Sequence, residues 1–225
     1  LKLLSFLRLS VNTLVFGSLG DNHMLFSCKL IKFNKIILVD DGTETLESFQ
    51  WYFKKKKTLM GYPKGLFFFT LFDFSTNKKQ ILRNNYSCIN KRSFNFSSKT
   101  FFVGQPLEDL IDDKDYYKIL KSIKLKYEEL AYVAHRKDPI SKINYIKNVL
   151  QIDVIILNDI IEIYLIKMGL LPKNVISFFS TSLISIKHLF KENIEVKYVY
   201  HDNMIDNDLI LVFNKFSIKK NFNYE

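Results

Sequence analysis

Three short polar motifs follow apolar runs in this chain: Asp40-Asp41-Gly42, His135-Arg136 and Ser180-Thr181. A carboxylate beside a glycine can take the proton from an attacking hydroxyl while leaving room for the substrate. A histidine, with an ordinary pKa near ~6.5, can donate a proton or a hydrogen bond to a departing phosphate. Hydroxyls at a helix N-terminus, with its free N–H groups, suit an anion that must be stabilised as it leaves. Glu162, on the helix before the Ser-Thr strand, can accept hydrogen bonds from ribose hydroxyls. Together these groups suit attack of a sugar hydroxyl on an anomeric carbon with a nucleotide phosphate as leaving group. Each also has a plain structural reading. Asp-Gly is a common turn, Ser a common N-cap, a single His is often structural, and a helical Glu is usually solvated. What favours function is their shared placement beyond the carboxyl ends of strands, where parallel sheets bind ligands.

The elements that must position them alternate short apolar runs with helical patterns, as in βαβ units around a parallel sheet. Strands are expected at 13–16, 35–39, 100–103, 130–134, 153–157, 175–179, 194–199 and 209–213. Helices are expected at 21–30, 43–53, 113–124 and 141–150. Another is capped by Asn158 or Asp159 and stopped at Gly169, and one more is opened by Ser180-Thr181-Ser182. The irregular, Lys-, Asn- and Ser-rich stretch 54–98 holds the expected boundary between two domains, 1–95 and 96–225. The fold class expected is α/β.

Composition narrows the partners. The 225 residues carry a formal net charge of +10, and 48% are hydrophobic. That is enough for a sizeable core, and the charge favours anionic ligands. The run Lys54 to Lys57 reads as a solvated helix end or as a contact for anionic lipid or glycan. Lys and Arg form no stripe interleaved with aromatics, so no nucleic-acid partner is expected. Cys28 and Cys88 lie in no metal spacing, which fits a reduced compartment. No apolar run reaches the ~18–20 residues of a membrane span, and no signal-peptide layout is read at the N-terminus. Asp112-Asp113-Lys114-Asp115 reads as a helix start rather than a metal site. His23 is a candidate neighbour of Asp41, while His188 and His201 have no evident partner. The Phe-rich stretch 66–74 reads as core.

Four segments taken together, IILVDDGTETL, FFVGQPLED, YVAHRKDP and VISFFSTSL, resemble the bacterial sialyltransferases of glycosyltransferase family 52 and the related polysialyltransferases. The resemblance spans residues 12–190. It implies a GT-B fold, two Rossmann-like domains with parallel sheets facing a cleft. It also implies inverting, metal-independent transfer from CMP-sialic acid, with no further cofactor. By motif match Asp41 takes the place of the general base and His135 that of the general acid. Ser180 and Thr181 match the hydroxyl pair on the phosphate. Glu162, 27 residues after His135 and 18 before Ser180, matches the acid on the ribose hydroxyls. Gly104 and Gln105 would line the nucleotide side of the cleft. Arg136, where many relatives have proline, looks more like the polysialyltransferase branch and adds positive charge near the donor. With only 39 residues before Asp40, the N-terminal domain would lack some strands of a full GT-B enzyme.

The implied acceptor is a bacterial surface glycan, in lipooligosaccharide or capsule. The implied location is the bacterial cytoplasm, with peripheral contact to an anionic inner membrane. A homodimer is a further partner expectation. Two other readings stay open at this level: a GT-B transferase using another nucleotide sugar, and an inactive remnant or basic binding protein.

Overall fold

The computed structural model describes residues 9–17, 26, 28, 30–40, 45, 66–72, 78–87, 89, 92–201 and 207–223. Asp41, Gly42, His23, Cys88 and the Lys54 to Lys57 run lie outside them, as does most of the helices expected at 21–30 and 43–53. Of those two helices Phe26, Cys28, Leu30 and Thr45 are described, and all four are helical. The chain divides into two compact units, Leu1–Asn85 and Tyr86–Glu225.

The first unit has a four-stranded sheet of β1 (Ser10–Phe16), β2 (Lys32–Val39), β3 (Leu66–Thr70) and β4 (Ile81–Arg83), in that order. Its pairings are parallel. Ile36, Leu38, Leu66 and Phe68 form its buried core. The Phe-rich stretch is therefore core, as expected, through Leu66 and Phe68 of β3.

The second unit has six parallel strands: β5 (Asn95–Val103), β6 (Leu130–Val133), β7 (Asp153–Ile155), β8 (Leu170–Ser177), β9 (Glu195–Tyr200) and β10 (Lys219–Asn223). A helix lies between each consecutive pair: α1 (Asp113–Lys126), α2 (Ile140–Asn148), α3 (Ile161–Met168), α4 (Ser182–Phe190) and α5 (Asn207–Lys215). The spatial order is β7-β6-β5-β8-β9-β10. Numbered within the unit, that is 3-2-1-4-5-6, the order of doubly wound Rossmann sheets. The fold is thus mixed α/β and Rossmann-like. Strand β6, Leu-Ala-Tyr-Val, is buried at all four positions. Continuous apolar runs of this kind mark strands covered by helices on both faces. One face packs Phe102, Tyr132, Ile176 and Phe178 against Tyr116, Ile119, Leu120 and Ile123 of α1.

Several expected boundaries shift for identifiable reasons. The segment 209–213 forms helix α5, not a strand. Its Leu-Ile-Leu-Val-Phe run is β-prone, but tertiary context decides so short a run, and Phe213 is its buried residue. The last strand is β10, whose Lys219 and Lys220 are exposed, as suits a charged edge strand. Helix α3 is capped by Ile160 without a side-chain bond, while Asp159 pairs instead with Lys167 at 2.6 Å. Gly169 stops that helix at φ +63°, the left-handed stop expected of it. Strand β8 begins directly after it. Pro172 sits within β8 opposite Ser97, where the β5–β8 register shifts, and proline is tolerated at such irregularities.

Candidate functional site

In a sheet of this order the ligand crevice lies beyond the carboxyl ends of the two strands where the order reverses. Here those strands are β5 and β8. Strand β5 leads into Gly104-Gln105, β8 leads through Phe178-Phe179 into Ser180-Thr181, and β6 beside them leads into His135. Four of the sequence-derived candidates therefore flank the switch point, with His135 and Arg136 one strand away.

Gln105 closes the switch point itself. Its Oε1 accepts hydrogen bonds from Phe179 N–H at 3.0 Å and from Ser177 Oγ at 3.2 Å. Ser177 Oγ also lies 2.6 Å from the Val103 carbonyl. The Gln105 side chain thus ties β5 to the turn that opens α4. Ser180 Oγ accepts from Ser182 N–H at 3.3 Å, and Thr181 is the N-cap by position, with no side-chain cap bond. The first turn of α4 therefore begins as two adjacent half-buried hydroxyl residues.

Gly104 carries a packing constraint of its own. A Cβ built there would lie 2.3 Å from Tyr132 Oη and 3.0 Å from Asp138 Oδ2. The glycine is needed to admit the Tyr132 hydroxyl. The space on its side-chain side is taken by protein.

His135 sits on a turn anchored by a residue that the sequence did not single out. Asp138 Oδ2 accepts from His135 N–H at 2.8 Å and from Tyr132 Oη at 2.7 Å. Asp138 N–H in turn donates to the His135 carbonyl at 2.9 Å. Lys137 N–H donates to His135 Nδ1 at 3.2 Å, so the neutral ring carries its proton on Nε2. Burial lowers the proton affinity of His135 from its ordinary value of 6.5. Asp138 opposes that shift, and Arg136, Lys137 and Lys142 add to it. The result is a neutral imidazole with an Nε2–H donor. Arg136 is exposed beside it.

Beneath this turn lies a buried charged cluster. Lys142 Nζ is 2.9 Å from Asp138 Oδ1, with side-chain exposures of 4% and 0%. Lys142 also approaches the Gln105 carbonyl at 3.4 Å and lies 4.2 Å from the Tyr116 ring centre. Tyr116 Oη and Tyr132 Oη are 3.1 Å apart, and burial pushes both phenols far above their ordinary pKa. The cluster joins the ends of β5 and β6 to α1 and α2. In sequence Asp138 and Lys142 look like an ordinary i,i+4 pair on a solvated helix, so nothing short of burial marks them.

Glu162 is buried in the first turn of α3, and its Oε1 accepts a hydrogen bond from Ser185 Oγ of α4. It is therefore tied to the helix that starts at Ser180-Thr181. In the first unit, Asp40 Oδ2 accepts from Leu71 N–H at 2.7 Å, joining the end of β2 to the end of β3. The first acid of Asp40-Asp41-Gly42 thus has a structural task.

Of the remaining motifs, Asp112 caps α1 by accepting from Asp115 N–H at 2.7 Å, as the helix-start reading expected. His188, without an evident partner in sequence, packs edge-on between Tyr86 and Phe216. Among the described residues no group of three or more His, Cys, Asp or Glu forms a metal cluster, and no helix is long and apolar enough to cross a membrane. No protein-family model and no curated protein matches the chain. Fold and strand-end geometry define the class: a Rossmann-like α/β protein with a polar site at its topological switch point.

Proposed function

We propose that the protein is a GT-B sialyltransferase, moving sialic acid from CMP-sialic acid to a bacterial surface glycan with inversion. The observation that carries this reading is the junction of β5 and β8. There Gln105, the Ser180-Thr181 helix start and the Glu162–Ser185 link stand on one sheet edge, with the Nε2–H of His135 on the neighbouring strand. An anionic leaving group with a hydroxylated sugar suits that mixture of N–H donors, hydroxyls and one carboxylate.

The chemistry is a single displacement. The acceptor oxygen bonds to the anomeric carbon as the bond from that carbon to the phosphate oxygen breaks, and the electron pair leaves on the phosphate. Asp41 takes the acceptor proton. His135 donates from Nε2 to the departing oxygen, and the first turn of α4 with Ser180 and Thr181 meets the developing charge. Approaching phosphate raises the proton affinity of His135, so the bound donor favours the doubly protonated ring that has a proton to give. Arg136 adds positive charge on the same side. Asp40, held by Leu71, leaves Asp41 as the acid of the pair assigned to the base.

Release of CMP from CMP-sialic acid in the presence of galactose-terminated or sialylated acceptors tests the reading. Transfer that is lost in Asp41→Ala, and reduced about 10²–10⁴-fold in His135→Ala, is expected. Equal turnover of UDP- or GDP-sugars would assign the site to a different transferase.

A further inference from the structure

We infer that Ser185 is a positioning residue for Glu162, fixing its carboxylate so that it accepts one ribose hydroxyl of a bound nucleotide; this rests on the nucleotide-sugar reading above. A serine inside a helix usually returns its proton to a carbonyl of its own helix. Ser185 has such an acceptor, the Ser182 carbonyl at 3.2 Å, yet its hydroxyl also reaches Glu162 Oε1 on α3. One hydroxyl has one proton, and a carboxylate is the stronger acceptor, so the bond crosses between helices.

Two consequences follow from that bond. It holds in place a glutamate side chain that would otherwise lose rotamer freedom on binding ligand. It also occupies one carboxylate oxygen, while Oε2 makes no hydrogen bond with a described residue, leaving that oxygen to accept from a donor. The carboxylate repels phosphate and attracts hydroxyl, whereas the N-terminus of α4 does the reverse. A nucleotide thus has one orientation, with its phosphate at Ser180-Thr181 and a ribose hydroxyl at Glu162. Ser185 rides on the same helix as the phosphate-receiving turn, so a single bond couples the two ends of the site.

The test is calorimetric titration of the full chain with CMP and its 2′-deoxy and 3′-deoxy forms. In the unaltered protein, loss of one of the two hydroxyls should weaken binding about tenfold or more. Ser185→Ala should weaken CMP binding and shrink that discrimination to within about threefold, as should Glu162→Gln. Ser185→Thr, which keeps the hydroxyl, should retain both affinity and discrimination. A helix defect alone would not be rescued in that way. Should Ser185→Ala fold poorly by circular dichroism, Ser185→Cys supplies the same test, because a thiol is a weak donor. CMP binding lowered by Glu162→Gln but untouched by Ser185→Ala and Ser185→Cys would overturn the inference alone. Folded protein that binds no CMP would overturn the nucleotide-sugar reading and this inference with it.

Discussion

Beneath His135, Lys142 and Asp138 form an ion pair almost wholly removed from water. Removing one partner of such a pair leaves an uncompensated buried charge, at a cost of about 3–5 kcal/mol. Lys142→Met should therefore lower the unfolding free energy in urea by that amount. The double variant Asp138→Asn/Lys142→Met should lose much less than the sum of the two singles, and additive losses would show that the pair does not act as a unit. His135 above it titrates below its ordinary value in the folded protein. As pH falls, the unfolded chain takes up the proton first. The associated stability is therefore present above about 6.5 and is lost on acidification towards the lower folded pKa. An imidazole titration followed by NMR should show that low pKa, moving upward on addition of CMP. A His135 that titrates at or above the ordinary value without ligand would contradict the assignment.

At the scale of elements, two glycines separate two kinds of constraint. Gly169 ends α3 at φ +63°, and a Cβ placed on it would meet nothing within 4 Å. Gly169→Ala should therefore cost only backbone strain, about 1–2 kcal/mol, and leave nucleotide binding unchanged. Gly104 has ordinary backbone freedom but no space. Its neighbour Tyr132 is buried, stacked on Phe102 and hydrogen-bonded to Asp138, so it cannot swing aside. Gly104→Ala should cost about 1–3 kcal/mol and broaden the His135 signal as well, since both share Asp138; thermal melts and the same NMR titration check this. Elements whose signal is local were legible in sequence: the apolar run of β6, the Gly169 stop, the Asp112 cap and the hydroxyl start of α4. Those set by tertiary context were not. The Leu209–Phe213 run is short enough to suit strand or helix, and β10 has exposed lysines where a buried strand would show apolar residues. The Asp138–Lys142 pair has the spacing of a surface helix pair, and its burial arises only because β5, β6, α1 and α2 converge on it.

For the whole molecule, the second unit, Tyr86–Glu225, contains a doubly wound sheet whose switch point collects Gln105, Ser180 and Thr181, with His135 adjacent and Glu162 linked through Ser185. The net charge of +10 favours anionic ligands without choosing among them. On the proposed reading, choice among nucleotides falls to the site in this unit. Nucleotide selectivity is therefore the most direct test: calorimetric titration of the folded protein with CMP, UMP and GMP, repeated with Glu162→Ala. Selective binding of CMP, weakened about tenfold or more by Glu162→Ala, is the expected result. Absence of CMP binding by folded protein, or equal affinity for all three nucleotides, would contradict assignment of this site to a CMP-sugar donor.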